Sequence, residues 1–135
     1  MNQKVFYLAC PFTHPNRAVE SMRSRLATAA AARLTAQGLA VISPLTHGSA
    51  VTAKAKSMGL DLGTTWDSWQ AVDLAMLQAG DALILLKLPG WDLSQGVLVE
   101  QARARELGLE VYSLPSPASL TWEEELALFL KEVKA

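Results

Sequence analysis

The chain of 135 residues reads as an α/β protein, a mainly parallel sheet of four to five strands between two layers of helices, and three observations carry that reading. Short apolar runs recur: VFYLA at 5–9, LAVIS at 39–43, ALILL at 82–86 and LEVYSL at 109–114. The first three carry no charge, so they suit buried parallel strands better than half-solvated ones. Stretches of helical length lie between them, and strand–helix alternation is the signature of a parallel sheet with crossover helices. The composition, 50% hydrophobic and 19% charged, supplies enough apolar surface for a core.

Taken in order, the first strand ends at Pro11, and residues 17–37 follow as a long alanine-rich helix that Gly38 stops. Leu39 to Ser43 forms the second strand, closed by Pro44. Residues 66–79 are predicted as an amphipathic helix with Thr64 or Thr65 as its cap. After the third strand, residues 95–107 form a helix that Gly108 ends, and the fourth strand runs to Leu114. Pro115 and Pro117 turn the chain into a last helix at about 120–133, whose Glu123, Glu124 and Glu125 favour a helix N-terminus. Residues 44–65 lack clear periodicity and are expected to be a pocket loop or lid. The whole chain, 1–135, is expected to be one domain, with no repeat or linker.

A net charge of −1 gives no general electrostatic reason to bind a nucleic acid polymer or an anionic membrane. No apolar stretch reaches the roughly 18 residues needed for a membrane span. Cys10 is the only cysteine, which rules out an internal disulfide and suits a reducing cytoplasm. His14 and His47 stand apart and form no metal-binding motif, so neither a metal nor a cofactor is expected.

In open parallel sheets ligands sit beyond the carboxyl ends of the strands, which directs attention to residues 10–17, 44–65 and 87–95. Two carboxylates stand out beside these segments. At about 100° per residue, Val97, Ala104 and Leu107 share one stripe of the fourth-strand helix, and Glu100 lies among them. An acid there must be desolvated or face a cavity. Gly96, one turn earlier, is expected to leave space above it. On the 66–79 helix, Trp69, Val72, Met76 and Ala79 mark the apolar stripe, and Asp73 lies on the same side.

Other residues near the strand ends admit two roles. Ser94 caps a helix whose free N–H groups could hold an anion. Trp66, Trp69 and Trp91 gather around the expected pocket. Trp91 is the best placed to stack on a flat ligand, whereas Trp69 suits core packing. Asp92 is in the same loop and could contact a ligand or water. Cys10 reads as a small buried hydrophobe at the pocket edge. Lys54 and Lys56 read as solvated.

The segments FYLACPF at 6–12, DLAMLQAGDALILL at 73–86 and SQGVLVEQARARELGLEVY at 94–112, in that order and spacing, resemble the nucleoside 2-deoxyribosyltransferase superfamily. That superfamily includes the 2′-deoxynucleoside 5′-phosphate N-hydrolases. The resemblance implies a flavodoxin-like or Rossmann-like three-layer sandwich. It also implies cleavage or transfer at an N-glycosidic bond through a glutamate nucleophile, here Glu100. Tyr7 would orient that glutamate and Asp73 would lie near the sugar or leaving base. Ser94, Gly96, Cys10, Pro11, Trp91 and Asp92 would contact a small nucleoside or nucleotide. By the same resemblance a homo-oligomer is expected. Two positions depart from the pattern: Cys10 stands where glycine is common, and Thr13 stands where the monophosphate hydrolases carry a phosphate-binding arginine. Arg17 or Arg23 could substitute, although Arg23 also reads as a snorkelling side chain. The alternative is a non-catalytic nucleotide-binding or regulatory protein on the same fold, and a third reading is cleavage of another ribosylated molecule.

Overall fold

The computed structural model describes residues 3–134. Its elements alternate as β1 (Val5–Ala9), α1 (Arg17–Ala36), β2 (Ala40–Ile42), α2 (Pro44–Ser57), α3 (Trp66–Ala79), β3 (Ala82–Lys87), α4 (Gln95–Glu106), β4 (Glu110–Pro115) and α5 (Trp122–Val133), with one 3-10 turn at Trp91–Leu93. The four strands form one all-parallel sheet in the order β2-β1-β3-β4. Helices cover both faces, giving a three-layer α/β sandwich with the flavodoxin-like strand order, whose crevice opens where β1 and β3 lead off in opposite directions.

The alternation of side chains along the two central strands divides the core. Phe6, Leu8, Ala82, Ile84 and Leu86 point to the face covered by α1 and α5, where they pack with Ala30, Leu34, Trp122, Leu126 and Phe129. Phe129 holds α5 down by edge-on contacts with Phe6 and Tyr112, at ring-centroid distances of 5.9 Å and 5.3 Å. Tyr7, Ala9, Leu83 and Leu85 point the other way, against Leu77 of α3 and Val97 and Ala104 of α4. Tyr7 pairs with Ile42 on one side and Leu83 on the other, so this side chain is fixed by the centre of the sheet. The expectation of strands buried on both faces holds for β1 and β3. It fails for β2, an edge strand whose three residues are all half-buried. Asp81 joins the strand starts, donating from its N–H to the Val5 carbonyl and accepting the Val5 N–H, each at 2.7 Å.

The segment 44–65 is a loop only over residues 58–65, where Gly63, Thr64 and Thr65 line a cavity. Its first 14 residues are α2, which starts with Pro44 in its first turn and packs beside α1 at the strand ends. Hydroxyl pairs join the two helices, Ser24 to Ser49 at 2.7 Å and Thr28 to Thr46 at 2.8 Å. Among the described residues no helix is long and apolar enough to cross a membrane.

Arg23 is neither a snorkelling side chain nor an open phosphate hand. It is only 9% exposed. Its Nη1 donates to the Phe12 and Thr13 carbonyls at 3.3 Å and 3.0 Å, and its Nη2 donates to the Pro89 carbonyl at 2.8 Å. One guanidinium thus ties the loop after β1 to the loop after β3. Gly90 makes this possible: its φ is +90°, and a Cβ there would lie 2.6 Å from Nη2. Arg23→Lys keeps the charge but cannot span both loops. It is expected to destabilise the fold by about 2 kcal/mol through carbonyls left unpaired, read as a lower urea midpoint with an unchanged slope.

Candidate functional site

A cleft of about 460 Å³ opens at the carboxyl ends of the strands, between α1, α2, α3 and the start of α4. Each acid reaches it for a local reason. Glu100 sits on the buried stripe of α4 with Val97 and Ala104, as helical phase predicts, and is 5% exposed. Tyr7 is fully buried on the same face of the sheet, and its O–H donates to Glu100 Oε2. Asp73, half-buried on α3, lines the cleft with them. The sheet and the two helices packed on it therefore bring all three expected catalytic residues to one cavity.

Burial sets the electrostatics. Desolvation raises the Glu100 pKa to about 8; the Tyr7 hydrogen bond opposes the rise and the nearby Asp73 charge adds to it. Desolvation also raises Asp73, to about 6, against a lowering by His47. The Tyr7 hydroxyl, buried beside two acids, is pushed far above its ordinary value and stays a proton donor. Burial, with Glu100 adding and Arg23 opposing, lifts the Cys10 thiol to about 12, so it is a neutral wall group at physiological pH. The cleft thus holds two acids with separated pKa values around a fixed phenol donor, which is the equipment for acid–base or nucleophilic work.

Of the expected ligand contacts, Ser94, Gly96 and Cys10 line the cleft, and Pro11, Trp91 and Asp92 do not. Pro11 is buried at the end of β1. The 3-10 turn leaves Asp92 exposed and packs Trp91 against the core on the α3–α4 side, with Lys87 Nζ 5.0 Å from its ring centroid. Ser94 caps α4 by accepting the Val97 N–H at 3.3 Å.

The structure also corrects the reason for Gly96. The room beside it is occupied: a Cβ would lie 3.0 Å from the indole of Trp66. On α3 the buried stripe is rotated from the expected one. Leu77 is buried, Trp69, Asp73 and Met76 are half-buried, and Val72 and Ala79 are exposed. Trp69 is a cleft wall, with its Nε1–H donating to the Gly63 carbonyl at 3.0 Å.

Arg17 and the 44–65 segment, expected near the pocket, do line the far wall, the latter through Leu45, Ser49 and Thr52 of α2; sequence reasoning missed Glu20 and Ser21 of α1 beside them. A signal for α2 was present, since Ser43 followed by Pro44 is a common helix start. His14 lies outside the cleft and borders a second cavity with Arg23 and Ser94. Among the described residues no group of three or more His, Cys, Asp or Glu side chains is placed to hold a metal ion.

Residues 4–115 match the model of a family described as a domain of unknown function, DUF1937, and the chain belongs to that family. No curated protein matches the chain.

Proposed function

We propose that this member of the DUF1937 family cleaves or transfers at the N-glycosidic bond of a nucleoside or nucleotide, with Glu100 as nucleophile. The observation that supports this reading best is the convergence of Glu100, its donor Tyr7 and Asp73 on one cleft. In the proposed reaction the Glu100 carboxylate attacks the anomeric carbon as the bond to the base breaks, and Asp73 gives its proton to the departing nitrogen. Water or the N–H of a second base then attacks the same carbon while Asp73 takes back a proton from it, releasing the sugar or a new nucleoside and restoring both the Glu100 carboxylate and the Asp73 acid. Tyr7 holds Glu100 in position and stabilises its negative charge. The reading extends to a cytoplasmic protein acting as a homo-oligomer.

A second reading, a nucleotide-binding protein without turnover, draws on one observation: at pH 7 a group with a pKa of about 8 is mostly protonated and a poor nucleophile. The two are separated by incubating the protein with deoxyribo- and ribonucleosides and their monophosphates, with and without an acceptor base, and measuring free base. Base release by the wild type and none by Glu100→Ala supports the enzyme. Binding without release across the panel removes it and leaves the binder.

A further inference from the structure

We infer that Trp66 and Trp69 form the platform for a flat heteroaromatic leaving group, and that Gly96 beneath Trp66 sets its position. Both indoles line the cleft, and both are half-buried. Each is seated on a residue with no side chain. A Cβ at Gly96 would meet the Trp66 ring atoms at 3.0 to 3.5 Å, and a Cβ at Gly48 would meet three Trp69 ring atoms at 3.7 to 3.8 Å. Near-equal distances to several ring atoms describe a ring lying across the glycine, not one touching it edge-on. Trp69 is held further by its hydrogen bond to the Gly63 carbonyl. Two large aromatic groups are therefore fixed in advance in a cleft that also presents both acids, which lowers the ordering cost of stacking on them.

Their place along the helices gives the platform its meaning. Trp69 is four residues before Asp73 on α3, and Gly96, which seats Trp66, is four residues before Glu100 on α4. Residues four apart lie on the same side of a helix, about one turn from each other. A flat ring on the indoles thus lies about one turn from both acids. Naming that ring a nucleobase rests on the glycosidic reading above; the preference for a flat heteroaromatic group does not.

The test uses free bases, which have no bond to cleave. Calorimetric titration with adenine, and with uracil against 5,6-dihydrouracil, compares flat rings with a puckered one that keeps the same polar edge. Wild type should bind uracil at least about tenfold more tightly than dihydrouracil, and Trp66→Leu or Trp69→Leu should weaken adenine by about tenfold, as loss of one stacking contact does. Gly96→Ala keeps both indoles but displaces Trp66, and should weaken adenine as well. Equal adenine affinity in wild type, the tryptophan variants and Gly96→Ala overturns the platform, as does no binding of either flat base by the wild type. Tryptophan-dependent base binding without turnover leaves the platform standing and removes the glycosidic reading. Turnover with a KM indifferent to both tryptophans does the reverse.

Discussion

Glu100→Gln is expected to abolish base release and, at the same time, to make the protein harder to unfold. The first effect follows from the role proposed for the carboxylate: an amide cannot form the glycosyl ester, and loss of a covalent nucleophile costs on the order of 10³-fold or more in kcat. The second follows from burial. Glu100 is 5% exposed, and its pKa is raised from 4.5 to about 8. A carboxyl group with a raised folded-state pKa contributes stability that is fully present below about 4.5 and is lost as pH rises through about 8. A change of that size corresponds to on the order of 4 kcal/mol by pH 9, at about 1.4 kcal/mol per pKa unit. Glutamine has the same shape, still accepts the Tyr7 O–H and carries no charge at any pH. Thermal unfolding should therefore show a small gap between variant and wild type at pH 5. By pH 9 the variant should unfold at least about 5 °C higher. An equal midpoint at pH 9 would mean that Glu100 ionises without hardship, and the buried-acid account of the site would be wrong.

That account could be read in part from the sequence, and the reason is instructive. Helical phase depends only on spacing, so Glu100 could be placed on the buried stripe with Val97 and Ala104 without knowing what packed against it. The central strands were equally legible, because β1 and β3 are buried on both faces and carry no charge. Features decided by distant neighbours were not. Gly96 looked like a vacancy, and the indole that fills it comes from Trp66, thirty residues earlier in the chain. On α3 the expected stripe included Val72 and Ala79, but the first turns of that helix face the cleft, so Trp69 and Asp73 share the inner side with Leu77. Helix α2 escaped because apolar periodicity is the usual signal, whereas its contact with α1 is made by Thr46 and Ser49 through hydroxyl pairs. Trp91 was misplaced for a related reason: an aromatic residue in a loop advertises a surface, but the 3-10 turn decides which way it faces.

The two acids also make a prediction about pH. The free protein should show kcat/KM rising below a limb near pH 6 and falling beyond a limb near pH 8, since these profiles report the groups of the free enzyme. The limbs come from Asp73 at about 6 and Glu100 at about 8. Between them the site holds one proton, predominantly on Glu100. The form the proposed reaction needs has that proton on Asp73 and the charge on Glu100. With a gap of about two units, roughly one molecule in a hundred is in that form. The bell shape is the same for either placement, because the profile counts protons and not their address. Substitution separates them. In Asp73→Asn the leaving base loses its acid, so the rate should fall by about 10² to 10⁴-fold. The single remaining limb should rise with pH as Glu100 ionises, and it should lie below pH 8, since the Asp73 charge that helped raise Glu100 is gone. The descending limb should vanish. Mass analysis of protein quenched during turnover should find the sugar on the peptide carrying Glu100. Sugar on the Asp73 peptide would exchange the roles, making Glu100, already protonated at neutral pH, the acid and Asp73 the nucleophile.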